Sequence, residues 1–126
     1  MSLSNYLEGK ILDHIFSEAS YTAPTWYVAL FTSDPGETGA SGEVSGDSYA
    51  RAALGETTRT DHEVTNDAAV SFPQATGSWG TVTHFGLFDA ASEGNFLWGG
   101  ELITPKAVLN GDTAQFDIGE ITFSLD

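Results

Sequence analysis

The segment Thr25-Trp26-Tyr27-Val28-Ala29-Leu30-Phe31-Thr32 constrains the fold more than any other. It is rich in β-branched and aromatic residues and apolar on both alternating faces, so as a strand it has no face that belongs in water. A strand of this kind lies inside a sheet with both faces covered, one by the core and the other by a helix. The fold must therefore supply neighbouring strands and a helix.

The chain holds one convincing helix, predicted over residues 5–18. Leu7, Ile11 and Ile15 fall at i, i+4 and i+8, with Leu12 and Phe16 beside them, which is the spacing of one helical face. Asn5 is placed to cap the helix, with Glu8 three residues on as in a capping box. Residues 33–48 follow the apolar strand as a loop rich in Gly, Ser, Asp and Glu, and its composition predicts mobility. Short strands are expected around Tyr49–Leu54, Ala68–Phe72 (stopped by Pro73), Thr81–Phe88, Phe96–Ile103 (before Pro105), Ala114–Ile118 and Ile121–Leu125. The polar stretch Thr57–Asp67 reads as an edge strand or a loop. Asp89–Asn95 forms a hairpin turn, and Asn110-Gly111-Asp112 is a tight-turn signal. The expectation is a single mainly β domain over residues 1–126. Its architecture is an antiparallel β-sandwich or partly open barrel of about seven to eight strands (residues 25–125), with the N-terminal helix packed on it.

Composition narrows the function. Lys and Arg number 4 against 18 Asp and Glu, a net charge of −14. A surface this acidic repels phosphate backbones and anionic lipid, so neither nucleic acid nor membrane is expected as a partner. It suits solubility, or docking against a basic partner. There are no cysteines, so disulfides and thiol chemistry are absent. The opening residues carry no basic stretch followed by a long apolar run, and no run approaches the ~20 residues that span a bilayer. Synthesis in the cytoplasm is the expectation.

No catalytic constellation stands out. Gly36, Gly39, Gly42 and Gly46 follow a strand but precede no helix, and Glu37, Glu43 and Asp47 among them would repel a phosphate. His14, His62 and His84 show no ligand spacing, Asp61-His62-Glu63 lies in a polar Thr-rich stretch, and nothing singles out a pair of carboxylates. No cofactor is expected. Asp34, Glu37, Glu43 and Asp47 share one loop and make Ca2+ a minor candidate, although their spacing matches no EF-hand. Trp79, in Thr76-Gly77-Ser78-Trp79-Gly80, reads as sitting on an exposed turn. With Trp26, Trp98 and nearby tyrosines it raises the question of a sugar-stacking platform, although core and interface packing is the commoner use of such rings.

Several segments in order resemble small tailed-bacteriophage virion structural proteins commonly labelled tail fibre proteins. They are Ser4–Phe16, Tyr27–Thr32, Gly42-Glu43-Val44-Ser45-Gly46-Asp47-Ser48-Tyr49-Ala50-Arg51, Phe72–Ala75, Trp79–Asp89 and Trp98–Leu102. The resemblance implies a non-enzymatic component of the virion. A compact acidic domain without fibre repeats favours a capsid decoration or cement protein that self-associates and binds the shell, so the partners expected are a major capsid or tail protein and further copies of the chain. The alternative is a tail-fibre or tail-tip module that binds host-surface glycans; a hydrolase is the third class. The contact residues expected are Trp79, Arg51, Asp34, Glu37, Glu43 and Asp47.

Overall fold

The computed structural model describes residues 2–17 and 19–125. In chain order the elements are β1 (Ser2–Leu3), α1 (Asn5–Phe16), β2 (Tyr27–Phe31), β3 (Ala52–Ala53), β4 (Thr57–Thr60), β5 (Glu63–Asn66), β6 (Val70–Ser71), β7 (Gly80–Phe88), β8 (Phe96–Val108), β9 (Gln115–Phe116) and β10 (Thr122–Ser124). All pairings are antiparallel, and they form sheets ordered β1-β8-β7-β2-β3, β10-β5-β4 and β6-β9. The fold is mainly β with one helix, as the sequence predicts, and among the described residues no barrel closes.

The large sheet is built around β2 and the β7–β8 hairpin. Val28 and Leu30 of β2 pair with Leu87 and Phe85 of β7, and all four side chains are buried on one face. The two small sheets cover that face. Phe85 packs its ring on Phe116 and Phe123 at centroid distances of 5.8 and 6.0 Å, and Trp98 meets Phe123 at 5.4 Å. Each large side chain buried in this way is worth roughly 1.5–3 kcal/mol against exposure. Asn66 is the buried polar fastener between the small sheets. Its Nδ2 donates to the carbonyls of Ala68 and Asp117, and its Oδ1 accepts from the Ile121 amide.

The second face of β2 is covered by a loop, where a helix was expected. Ala29 and Phe31 form a separate buried cluster with Phe88 and Phe96. The 33–48 loop crosses over it with Pro35 buried beside Phe96, then runs along the edge of β2, held by Thr32 N to Gly42 O and Val44 N to Leu30 O, both 2.9 Å, where Val44 joins the main core. Two glycines make room. A Cβ on Gly39 would stand 2.5 Å from Phe96 Cγ, and one on Gly86 2.6 Å from Phe96 Cε1. The helix packs elsewhere, against β8, with Leu7 as its buried residue.

Local boundaries shift for identifiable reasons. Ser4, not Asn5, caps α1: its hydroxyl accepts from the Leu7 amide at 3.1 Å, while its own amide is held by Leu97 O. The helix ends at Phe16, with Ser17 as its C-cap, so it stops short of the expected Glu18, which lies outside the described residues. Thr57–Asp67 is a hairpin, β4–β5, whose β4 side is wholly exposed. β8 continues through Pro105 to Val108, because residues 102–105 bulge out between the Glu101 and Lys106 pairings to β7; there a residue without an amide N–H interrupts no ladder. Among the described residues ten strands stand where seven or eight are expected, because several are two-residue pairings, too short to leave an alternation in the sequence.

Candidate docking surface

The expected contact residues divide into those used inside the fold and those left outside. Arg51 is internal, its side chain 7% exposed. Its guanidinium grips Glu43 with two bonds, Nε to Oε2 at 2.8 Å and an Nη to Oε1 at 2.9 Å. The other Nη donates to the carbonyls of Ala90 and Glu93 at 2.9 and 2.7 Å, and the group lies 3.5 Å over the Phe88 ring. This fork geometry with stacking is specific to arginine. Tyr49 joins the same knot: its hydroxyl donates to Glu43 Oε2 at 2.8 Å and accepts from the Leu30 amide at 3.1 Å. Burial first, then the nearby Glu43 carboxylate, push the Tyr49 pKa well above the ordinary tyrosine range.

Trp79 is also internal, and this corrects the exposed turn expected for it. It is 5% exposed, crosses Tyr49 edge-on at 5.3 Å, and donates its indole N–H to Asp47 O at 2.9 Å. The flanking polar residues that suggested a surface turn face outward while the ring turns into the core. Trp98 is buried and Trp26 half-buried, so among the described residues no tryptophan stands free for sugar stacking.

Asp34, Glu37 and Asp47 are exposed. Asp34 Oδ1 accepts from the Gly36 amide in a local turn, and the Glu37 carbonyl accepts from Asn5 N at 3.4 Å. With Glu43 committed to Arg51, the four loop acids do not converge, and among the described residues no three His, Asp or Glu side chains come together as a metal site. The histidines are likewise dispersed. His14 Nδ1 accepts from the Tyr21 amide, His62 is exposed, and His84 stands 3.6 Å from Glu101 in a hollow of about 150 Å3.

The surface that the sequence reading missed is apolar. On α1, Leu12, Ile15 and Phe16 are 56, 61 and 77% exposed. A separate open groove of about 920 Å3 lies between the far half of β8 and the β9–β10 region. Its floor includes Phe85, Leu102 and Phe116; Glu101, Asp112, Asp117 and Glu120 line it against a single lysine, Lys106. A signal for the helix patch was present in the sequence: Leu7, Ile11, Leu12, Ile15 and Phe16 make a stripe wider than one sheet contact can cover. The groove left none, because its walls come from segments distant in sequence.

The sequence model of the podophage GP4 fiber I protein gp80 family matches residues 2–124. The chain belongs to that family. As a fiber I family protein it is a structural component of the phage particle and associates with other virion proteins. The family description names a fibre, not a shell protein, and so sits closer to the tail-fibre expectation than to capsid decoration. No curated protein matches the chain.

Proposed function

We propose that this chain is a non-enzymatic module of the podophage tail fibre apparatus that works by protein–protein docking. The observation that carries the reading is the match of a fibre family over nearly the whole chain. The structure adds support: the conspicuous surface features are apolar patches, and the scarce cation Arg51 and all three tryptophans serve the interior wholly or in part. Host recognition through stacked sugars has less support, because the ring best placed for it, Trp79, lies in the core. The exposed carboxylates of Asp34, Glu37 and Asp47 offer a negative rim to a basic virion partner.

Immunogold labelling of intact particles tests the location. Label at the tail is expected; label spread over the head would sink the fibre reading and revive shell decoration. A glycan titration followed by tryptophan fluorescence is expected to give no response.

A further inference from the structure

We propose that Asn110-Gly111 is a latent modification site, kept from deamidating by the fold and altered for good once the turn that holds it opens. Of the asparagines Asn5, Asn66, Asn95 and Asn110, only Asn110 precedes a glycine. A glycine offers its backbone nitrogen with no side chain to hinder attack on the preceding carboxamide. The turn requires that same glycine, because Gly111 has a φ of +91°, a conformation that other residues rarely adopt. The demand of the turn and the chemical liability therefore fall on one residue.

The fold engages the nitrogen that would attack. Gly111 N donates to Ala75 O at 2.7 Å, Ala75 N donates back to Asp112 O at 2.9 Å, and Gln74 Nε2 donates to Gly111 O at 2.9 Å. Within the turn, Asp112 N donates to Leu109 O at 3.0 Å and Leu109 N to Asp112 Oδ2 at 2.9 Å. Ala75 is buried, which anchors this corner in the core. An amide held in this way yields its proton to solvent only when its hydrogen bond breaks. Asn110 itself is exposed, so water reaches it and the Gly111 hydrogen bond is the gate.

When the gate opens, hydroxide removes the Gly111 amide proton and the nitrogen attacks Asn110 Cγ. The Cγ–Nδ2 bond breaks and Nδ2, protonated by water, leaves as ammonia, so a succinimide ring spans the two residues. Water then opens the ring. Attack at Cγ gives aspartate, and attack at the backbone carbonyl gives isoaspartate, whose main chain is one methylene longer. Either product adds a carboxylate beside Asp112 to a chain already at −14. The longer main chain of isoaspartate no longer matches the paired bonds to Ala75, so a corner that has opened and reacted does not reclose. The inference stands apart from where on the particle the protein sits.

Peptide mapping by mass spectrometry with isoaspartate detection, on full chain held at mildly alkaline pH, tests it. In guanidinium chloride, isoaspartate is expected at Asn110 and is abolished by Asn110→Gln, which fixes the site. In buffer, the folded wild type is expected to react at least about tenfold more slowly, by the fraction of time the turn is open. Gln74→Ala and Asp112→Ala, both at exposed positions, each remove one side-chain bond of the clamp; near-ultraviolet circular dichroism checks that they fold. Their folded rates are expected to lie between those two limits. A folded wild type that reacts as fast as the denatured chain overturns the proposal. So does a denatured chain that stays unmodified at Asn110, or a pair of folded clamp variants no faster than wild type.

Discussion

Arg51 ties together stretches that the chain sets far apart: Glu43 in the loop, Phe88 at the end of β7, and the Ala90–Glu93 turn. Removing it leaves the Glu43 carboxylate without its partner and two carbonyls without donors. Arg51→Ala is expected to lower unfolding free energy by about 3 kcal/mol, read from urea denaturation, and Arg51→Lys to recover less than half of that. Tyr49 gives the knot a pH signature. Below about pH 10 the hydroxyl keeps its proton whether the chain is folded or not, and stability does not change through it. Above that, the unfolded chain releases the proton while the folded chain holds it, so stability falls as pH rises. The urea midpoint of wild type is expected to drop on the alkaline side more steeply than that of Tyr49→Phe. In the sequence, Arg51 stands out because cations are few, and that rarity points to importance without saying what it contacts. Its carbonyl partners lie about forty positions downstream, beyond the reach of any local pattern.

At the scale of elements, period and turn chemistry made the main pieces legible. The β2 segment, the β7–β8 hairpin and α1 all follow from apolar spacing and turn residues. What covers the second face of β2 did not follow, because a loop of Gly, Ser and acids gives no apolar periodicity even where Pro35 seats it on the sheet. Its fit depends on absent side chains beneath it. Gly86→Ala would press a methyl group between Phe31 and Phe96, with Phe31 Cε1 only 2.9 Å away, and is expected to cost about 1–3 kcal/mol by thermal denaturation. The β4–β5 hairpin, paired at its turn end by Thr60 and Glu63, was half legible: its alternation of Thr58, Thr60, His62 and Val64 fits a strand, but nothing in it marks which side faces the core.

For the whole molecule, the balance of −14 acts on stability as well as on docking. Raising ionic strength from about 0.01 to 0.15 M shortens the screening length from about 30 to 8 Å, so self-repulsion of the folded chain fades. The melting temperature of the isolated protein is expected to rise over that range in differential scanning calorimetry; a fall would mean that attractive pairs outweigh the excess of acids. The groove and the helix ridge were illegible at this scale because each is defined by what fails to cover it. A further consequence comes from the order in which the sheet is strung. β2 ends at Phe31, yet the strand that pairs with its long edge does not begin until Gly80. A ribosome therefore releases the greasiest segment well before its neighbour exists, and the nascent chain must keep β2 from sticking to other chains in the interval. Slow translation between the two, or truncation before β7, should drive the product into inclusion bodies while leaving the complete chain soluble.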